Sequence, residues 1–315
     1  MKRHHLRLCH TLTILLMLLA PHALSMAAHE APAPTLKVLA VESFLADIAQ
    51  NVAGDRVKIE SLMPNGVDPH GFEPTPTDVA KITDSQVLIV NGAGFEAFLD
   101  ELLKNAGVPS TGGQRTVIEA AAGLSARQPR AGEIVDPDHA GDPHFWLDPN
   151  NVIKYVENIR DGLIAADPGG RDTYTQNAED YTAQLRALDE EIRNMVAVIP
   201  PERRQLVTNH ESFGYFADRY GFQIIGTVVP SVSTGSAPSA QQLARLIDRI
   251  KATGATAIFL ETGTNPQLAE QVAQETGSKV VTDLYSHSVT AADGLAPTYI
   301  DMLKFNTNAI VNALK

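Results

Sequence analysis

The feature that most constrains this chain is an apolar stripe in the segment 171–199. Tyr174, Ala178, Tyr181, Leu185, Leu188, Ile192 and Met195 recur in alternating steps of four and three. Those steps place all seven on one face of an α-helix. Gly169-Gly170 stands before the segment and Pro200-Pro201 closes it. At about 1.5 Å per residue the helix would run on the order of 40 Å, the length of a small domain. A helix that long, apolar on one face only, must be covered along its whole length. A coiled-coil partner or two flanking lobes of the same chain would serve.

The flanking sequence favours two lobes. LKVLAV (36–41), VKIESLMP (57–64) and QVLIVNG (86–92) read as strands, separated by helical stretches at 44–54 and from Thr77, with another at 95–107. The alternation resumes near residue 204. RQLVTNH, QIIGTVVP, TAIFLET and KVVTDLYS are strand-like, and FGYFADRYG, SAQQLARLIDRIKATG, NPQLAEQVAQETG and TYIDMLKFNTNAIVNAL are helical. Strands alternating with helices in this way imply mostly parallel sheets. The expected fold is α/β, with two Rossmann-like lobes joined by one rigid helix. The boundaries are 28–168 for the N-terminal lobe, 169–199 for the linking helix and 200–315 for the C-terminal lobe.

Residues 1–27 read as a signal peptide. Lys2, Arg3 and Arg7 precede the apolar run LTILLMLLA, and small residues in ALSMAA follow it. Cleavage is expected after Ala27, which places the mature protein in the periplasm. Cys9, the only cysteine, lies before the apolar run and would leave with it. The mature chain then offers no disulfide, thiol nucleophile or Cys-based metal site. Losing three cations takes the formal charge from −12 to −15. So acidic an exported protein is expected to bind no nucleic acid and to tolerate cations.

Six histidines remain beyond residue 27: His29, His70, His139, His144, His210 and His287. His70 and His144 each follow Asp-Pro, in VDPHGFEP and GDPHFWLDP. Proline fixes its own φ and keeps the preceding residue out of the helical region, so both imidazoles are expected on stiff extended or turn backbone. Asp68 and Asp142 could accept the second ring N–H of these histidines. His210 follows the strand LVT, and Asp283 closes the strand KVVT. Ligands of open α/β sheets bind beyond the carboxyl ends of strands, so these are candidate site positions. Tyr215, Phe216 and Tyr220 fall at helical spacing and are expected in the core.

DPHGFEPTPTD, DPHFWLDP, TNHESFGYFADRYGF and VVTDLYS, in that order around a long central helix, resemble the metal-binding solute receptors of ABC importers. These form the zinc/manganese cluster, cluster 9, of periplasmic binding proteins. The resemblance covers nearly the whole mature chain. It implies a ligand set of His70, His144, His210 and Asp283 in a cleft between the lobes. A histidine at the third position resembles the zinc branch, where manganese members carry glutamate, so the implied cargo is Zn(II). The implied partner is an inner-membrane ABC permease, with a periplasmic zinc metallochaperone as candidate donor, and a monomer is expected. The segment 131–142 carries Glu133, Asp136, Asp138, His139 and Asp142 in place of the His-rich loop of many zinc receptors. Two other readings are a manganese or iron receptor of the same fold and a secreted zinc hydrolase. Glu211 or Glu73 would be the base of the hydrolase, but no HExxH pattern is present. The receptor reading makes the protein a binding protein and not an enzyme.

Overall fold

The structure is a computed structural model and describes residues 36–105, 115–128, 130 and 141–315. The expected signal peptide, His29 and most of the acidic segment, with His139, lie outside the described residues. The N-terminal half runs β1 (Val38–Ala40), α1 (Ser43–Ala53), β2 (Ile59–Ser61), α2 (Pro76–Asp84), β3 (Val87–Val90), α3 (Ala97–Asn105), β4 (Thr116–Glu119) and α4 (Pro149–Ala166). After α5 (Arg171–Val196) come β5 (Gln205–Thr208), α6 (Gly214–Tyr220), β6 (Gln223–Thr227), α7 (Ala240–Thr253), β7 (Ala257–Glu261), α8 (Gln267–Thr276), β8 (Lys279–Leu284) and α9 (Tyr299–Leu314).

Two parallel four-stranded sheets result, ordered β2-β1-β3-β4 and β6-β5-β7-β8. Each order reverses once, between β1 and β3 and between β5 and β7. The loops leaving those strands diverge there and open a crevice. Local sequence sets the boundaries of the intervening helices. Thr75 with Asp78, and Ser239 with Gln242, form capping boxes at the starts of α2 and α7. Gly254 ends α7 in the left-handed region at φ 74°, a conformation that favours glycine.

The 26-residue α5 buries Tyr174, Ala178, Tyr181, Leu185, Leu188 and Ile192 as the stripe requires, while Val196 takes the last fully buried place and Met195 is half-buried. It is no free-standing strut. One apolar cluster runs from Val38 and Phe44 through α4 and α5 to Leu206, Phe216 and Leu314. Both sheets therefore share a core. Smaller clusters cover the outer faces, one around Leu88 and Leu99 and one around Ile225 and Leu246. Tyr215, Phe216 and Tyr220 are buried in the shared core as expected. Among the described residues, no helix is long and apolar enough to cross a membrane.

The last helix returns to the first. The Tyr299 N–H at the start of α9 donates to Asp47 Oδ2 on α1 at 2.8 Å. Burial pushes Asp47 up to about 6, against the opposing effect of that hydrogen bond. The value exceeds the roughly 3.9 of an unfolded aspartate. The stabilisation from holding this proton is complete below the unfolded value and is lost as pH rises through about 6. Asp47→Asn keeps an acceptor for Tyr299 and removes the half-buried charge. Its melting temperature relative to wild type should rise between about pH 5 and about pH 8. Thermal melts of metal-free protein at both values check this; a difference that does not grow with pH would show that Asp47 ionises without cost.

Candidate metal centre

The repeated Asp-Pro-His is a repeated turn. Asp68 is extended, as a residue before proline must be, and its Oδ1 accepts the His70 N–H at 3.0 Å. Asp142 Oδ1 accepts the His144 N–H at 2.9 Å in the same way. An aspartate bonding the backbone two residues on is an Asx turn, which stiffens the approach to each imidazole. The backbone is more tightly wound than an extended loop: His70 lies in the 3-10 turn Pro69–Gly71, and His144 caps the turn Phe145–Leu147.

These turns, with the loops after β5 and β8, bring four imidazoles together. The Nε2 atoms of His70, His210 and His287 each lie 3.3 Å from Nε2 of His144. The four candidate donor atoms all lie within 4.8 Å of one another. His144, His210 and His287 are buried and His70 is half-buried. Phe95 backs the cage, with its ring 5.2 Å from His70, 5.7 Å from His144 and 6.0 Å from His287. Trp146 lies 5.2 Å from His144, stacks on Phe44 at 4.5 Å and donates its indole N–H to Ser286 O at 2.6 Å.

Of the residues singled out in the sequence, the structure brings His70, His144 and His210 together and leaves Asp283 outside. Asp283 is exposed, and its carboxylate accepts from the hydroxyl of the preceding residue, Thr282, at 3.4 Å. The cause is an irregularity in pairing. Phe259 faces Val281 but Glu261 faces Leu284, so β8 carries one extra residue. A bulge of this kind breaks the alternation of faces, and Thr282 and Asp283 both turn outward. The strand also runs past Asp283 to Leu284, and the following loop delivers His287 to the fourth position. A histidine just beyond a strand's carboxyl end was the available signal.

Carboxylates hold the rings from outside. The His144 Nδ1–H donates to Asp142 Oδ1 at 2.8 Å, so Asp142 serves both backbone and ring. Burial pushes Asp142 up to about 7 despite the His144 N–H and Arg127. Asp68 does not take the corresponding role at His70. Its Oδ2 instead accepts the Thr234 hydroxyl at 2.5 Å from across the cleft. Glu261, which sequence reading did not select, closes β7 with Oε1 3.1 Å from His210 Nδ1. Burial works against charge on His210, but Glu261 outweighs it and raises the ring above the usual histidine range. Burial, then His210 and His70, hold His287 well below that range. Asp68, Glu261 and His287 also line a cleft of about 570 Å³.

The family model for "Zinc-uptake complex component A periplasmic", ZnuA, matches residues 38–313. The chain is 33% identical over 279 residues to the manganese-binding lipoprotein MntA of Halalkalibacterium halodurans, covering 89% of this chain and 88% of that protein. It is 32% identical to the iron-binding protein YfeA of Yersinia pestis, covering 88% and 86%. Among solved structures, the periplasmic zinc binding protein TroA of Treponema pallidum superposes with a TM-score of 0.78 at 28% identity, covering 89% of this chain and 99% of that one. A manganese-bound variant of the periplasmic metal binding protein of Candidatus Liberibacter asiaticus gives 0.78 at 29% identity, covering 89% and 100%. Fold, ordered motifs and near-complete coverage agree: this chain belongs to the ZnuA family of metal-binding periplasmic substrate-binding proteins, the cluster 9 type, and is a solute-binding protein and not an enzyme.

Proposed function

We propose that this protein is a zinc receptor: exported by its signal peptide, it captures one Zn²⁺ between its lobes on His70, His144, His210 and His287 and delivers it to an ABC permease. The spacing of the imidazoles carries the reading. Zinc–imidazole bonds of about 2.0–2.1 Å in a tetrahedron require donor atoms about 3.3 Å apart. The three contacts to His144 Nε2 are each 3.3 Å. A fourth protein donor fills the position that a catalytic zinc keeps open for water, which speaks against hydrolysis.

The choice of metal follows from donor chemistry. Imidazole nitrogen suits zinc, whereas manganese prefers oxygen. Relatives are named for manganese, iron and zinc alike, so the family alone does not choose. The four imidazoles favour zinc. Asp142 and Glu261 add orientation, since a ring held through Nδ1 presents Nε2 in a fixed direction and tautomer.

Trp146 supplies the readout, since it contacts His144 and is the only tryptophan. Zinc should change its fluorescence with a one-to-one endpoint. His287→Ala should weaken zinc binding by about a hundredfold or more, as loss of one of four donors implies, while Asp283→Ala should change it less than about threefold. The reverse order of effects would remove His287 from the site and restore Asp283.

The same cage makes a statement about selectivity. His287→Asp exchanges nitrogen for oxygen at one position, so the Zn/Mn affinity ratio should fall by roughly tenfold or more. Zinc can still bind more tightly in absolute terms, because manganese stands lowest in the intrinsic affinity order. Competition between the two ions gives the ratio directly; one that stays constant or rises places selectivity outside the donor set.

A further inference from the structure

Four neutral histidines bring no negative charge to a divalent cation. Asp142 and Glu261 touch the cage from outside. A second pair of carboxylates lies behind it, at the N-terminal switch point between β1 and β3. Glu42 follows β1 and is 1% exposed, and Glu96 follows β3 and is 7% exposed. Glu96 accepts the Asn91 N–H and, at 3.1 Å, the Gly92 N–H. Among the described residues, neither buried Glu42 oxygen has a hydrogen-bond donor.

The charged group acting on Glu42 is Glu96, and the Tyr155 hydroxyl of α4 donates to Asn91 Oδ1, the residue whose N–H binds Glu96. Among the described residues no Arg or Lys forms an ion pair with either. Two buried carboxylates without a cation cannot both be ionised at little cost. Burial, with Glu96 adding to it, lifts Glu42 well above the usual carboxylate range, and burial lifts Glu96 to about 7.

Short packed links tie this pair to the cage. Phe95, next to Glu96, packs against three of the four imidazoles. Ser43, next to Glu42, has its Oγ 3.1 Å from Ser288 Oγ, and Ser288 follows His287. Asn91, whose N–H binds Glu96, donates its side chain to Pro143 O at 3.1 Å, directly before His144.

We infer that Glu42 and Glu96 hold one proton between them in the metal-free protein and give it up to solvent when a divalent cation enters the four-histidine cage. This rests on the cation-receptor reading. Two positive charges arrive and the pair releases one, so the pair by itself offsets half of the ion's charge, in addition to any proton that the ligating rings give up. A cation held in a low-dielectric interior acts on carboxyl groups one packed residue away more strongly than it would through water, which favours the ionised form. The pair is thus a store of negative charge that appears only when the cargo does.

Proton release per zinc ion tests the inference. Calorimetric titration of the full mature chain near pH 7, in buffers of different ionisation enthalpy, gives the count. In Glu42→Gln the new amide can donate to Glu96 and hold it ionised beforehand, and Glu96→Gln does the converse. Each variant should release about one proton fewer than wild type, and the pH slope of log affinity should fall by about one. Circular dichroism and the melting temperature of the metal-free variants establish that they fold. Equal release from wild type and a folded variant, with one zinc bound to each, overturns the inference and leaves the receptor reading standing. Zinc binding that His287→Ala does not weaken overturns the receptor reading itself.

Discussion

The metal centre depends on a packing constraint before it depends on chemistry. Its four imidazoles come from loops of both sheets, and Nε2–Nε2 distances of 3.3 Å leave little tolerance for drift. The apolar core running along α5 from Val38 to Leu314 fixes the separation of those sheets. Protein interiors pack as densely as crystals, so a shared core holds its two sides in register where a bare linker would not. The stripe at 174–195 is therefore a requirement of the binding site as much as of the fold.

Onto that frame the chain adds charge with economy. In the proposed site the rings are neutral donors, and the negative charge stands one step back, on Asp142 and Glu261 at the ring Nδ1 atoms. Such placement leaves the inner cage to nitrogen donors, which discriminate among metals, while carboxylates outside orient them and offset the ion's charge. Burial drives Asp142 and Glu96 to about 7, so the acids around the centre sit near the point where an added charge changes their state.

Much of this was legible in the sequence because it is local. Strand and helix alternation, the α5 stripe and the Asp-Pro-His turns each depend on neighbours within a few residues. The clustering of His70, His144 and His210 was readable for that reason. Asp283 lies outside the histidine cluster because its position depends on register. One extra residue in β8 turns Asp283 outward, and no periodicity in KVVTDLYS marks the bulge. Glu261 and the Glu42–Glu96 pair were invisible for a related cause. Each lies at a strand end or in the loop beyond one, and its meaning depends on what another strand end places opposite it. Strand order, which the sequence does not display, decides that.

Asp68 joins two jobs that are usually separate. One oxygen fixes the turn that aims His70, and the other accepts the Thr234 hydroxyl from the opposite wall of the cleft. The aim of an imidazole and the closeness of the walls are thus written into a single carboxylate. Parting the walls strips Asp68 of its far partner and frees the carboxylate beside the proposed ligand His70 on one side. The residence time of the ion then becomes a mechanical quantity. In the proposed receptor, a membrane partner that pulls Thr234 away from Asp68 would act on the scaffold and not on the donor atoms of the cage.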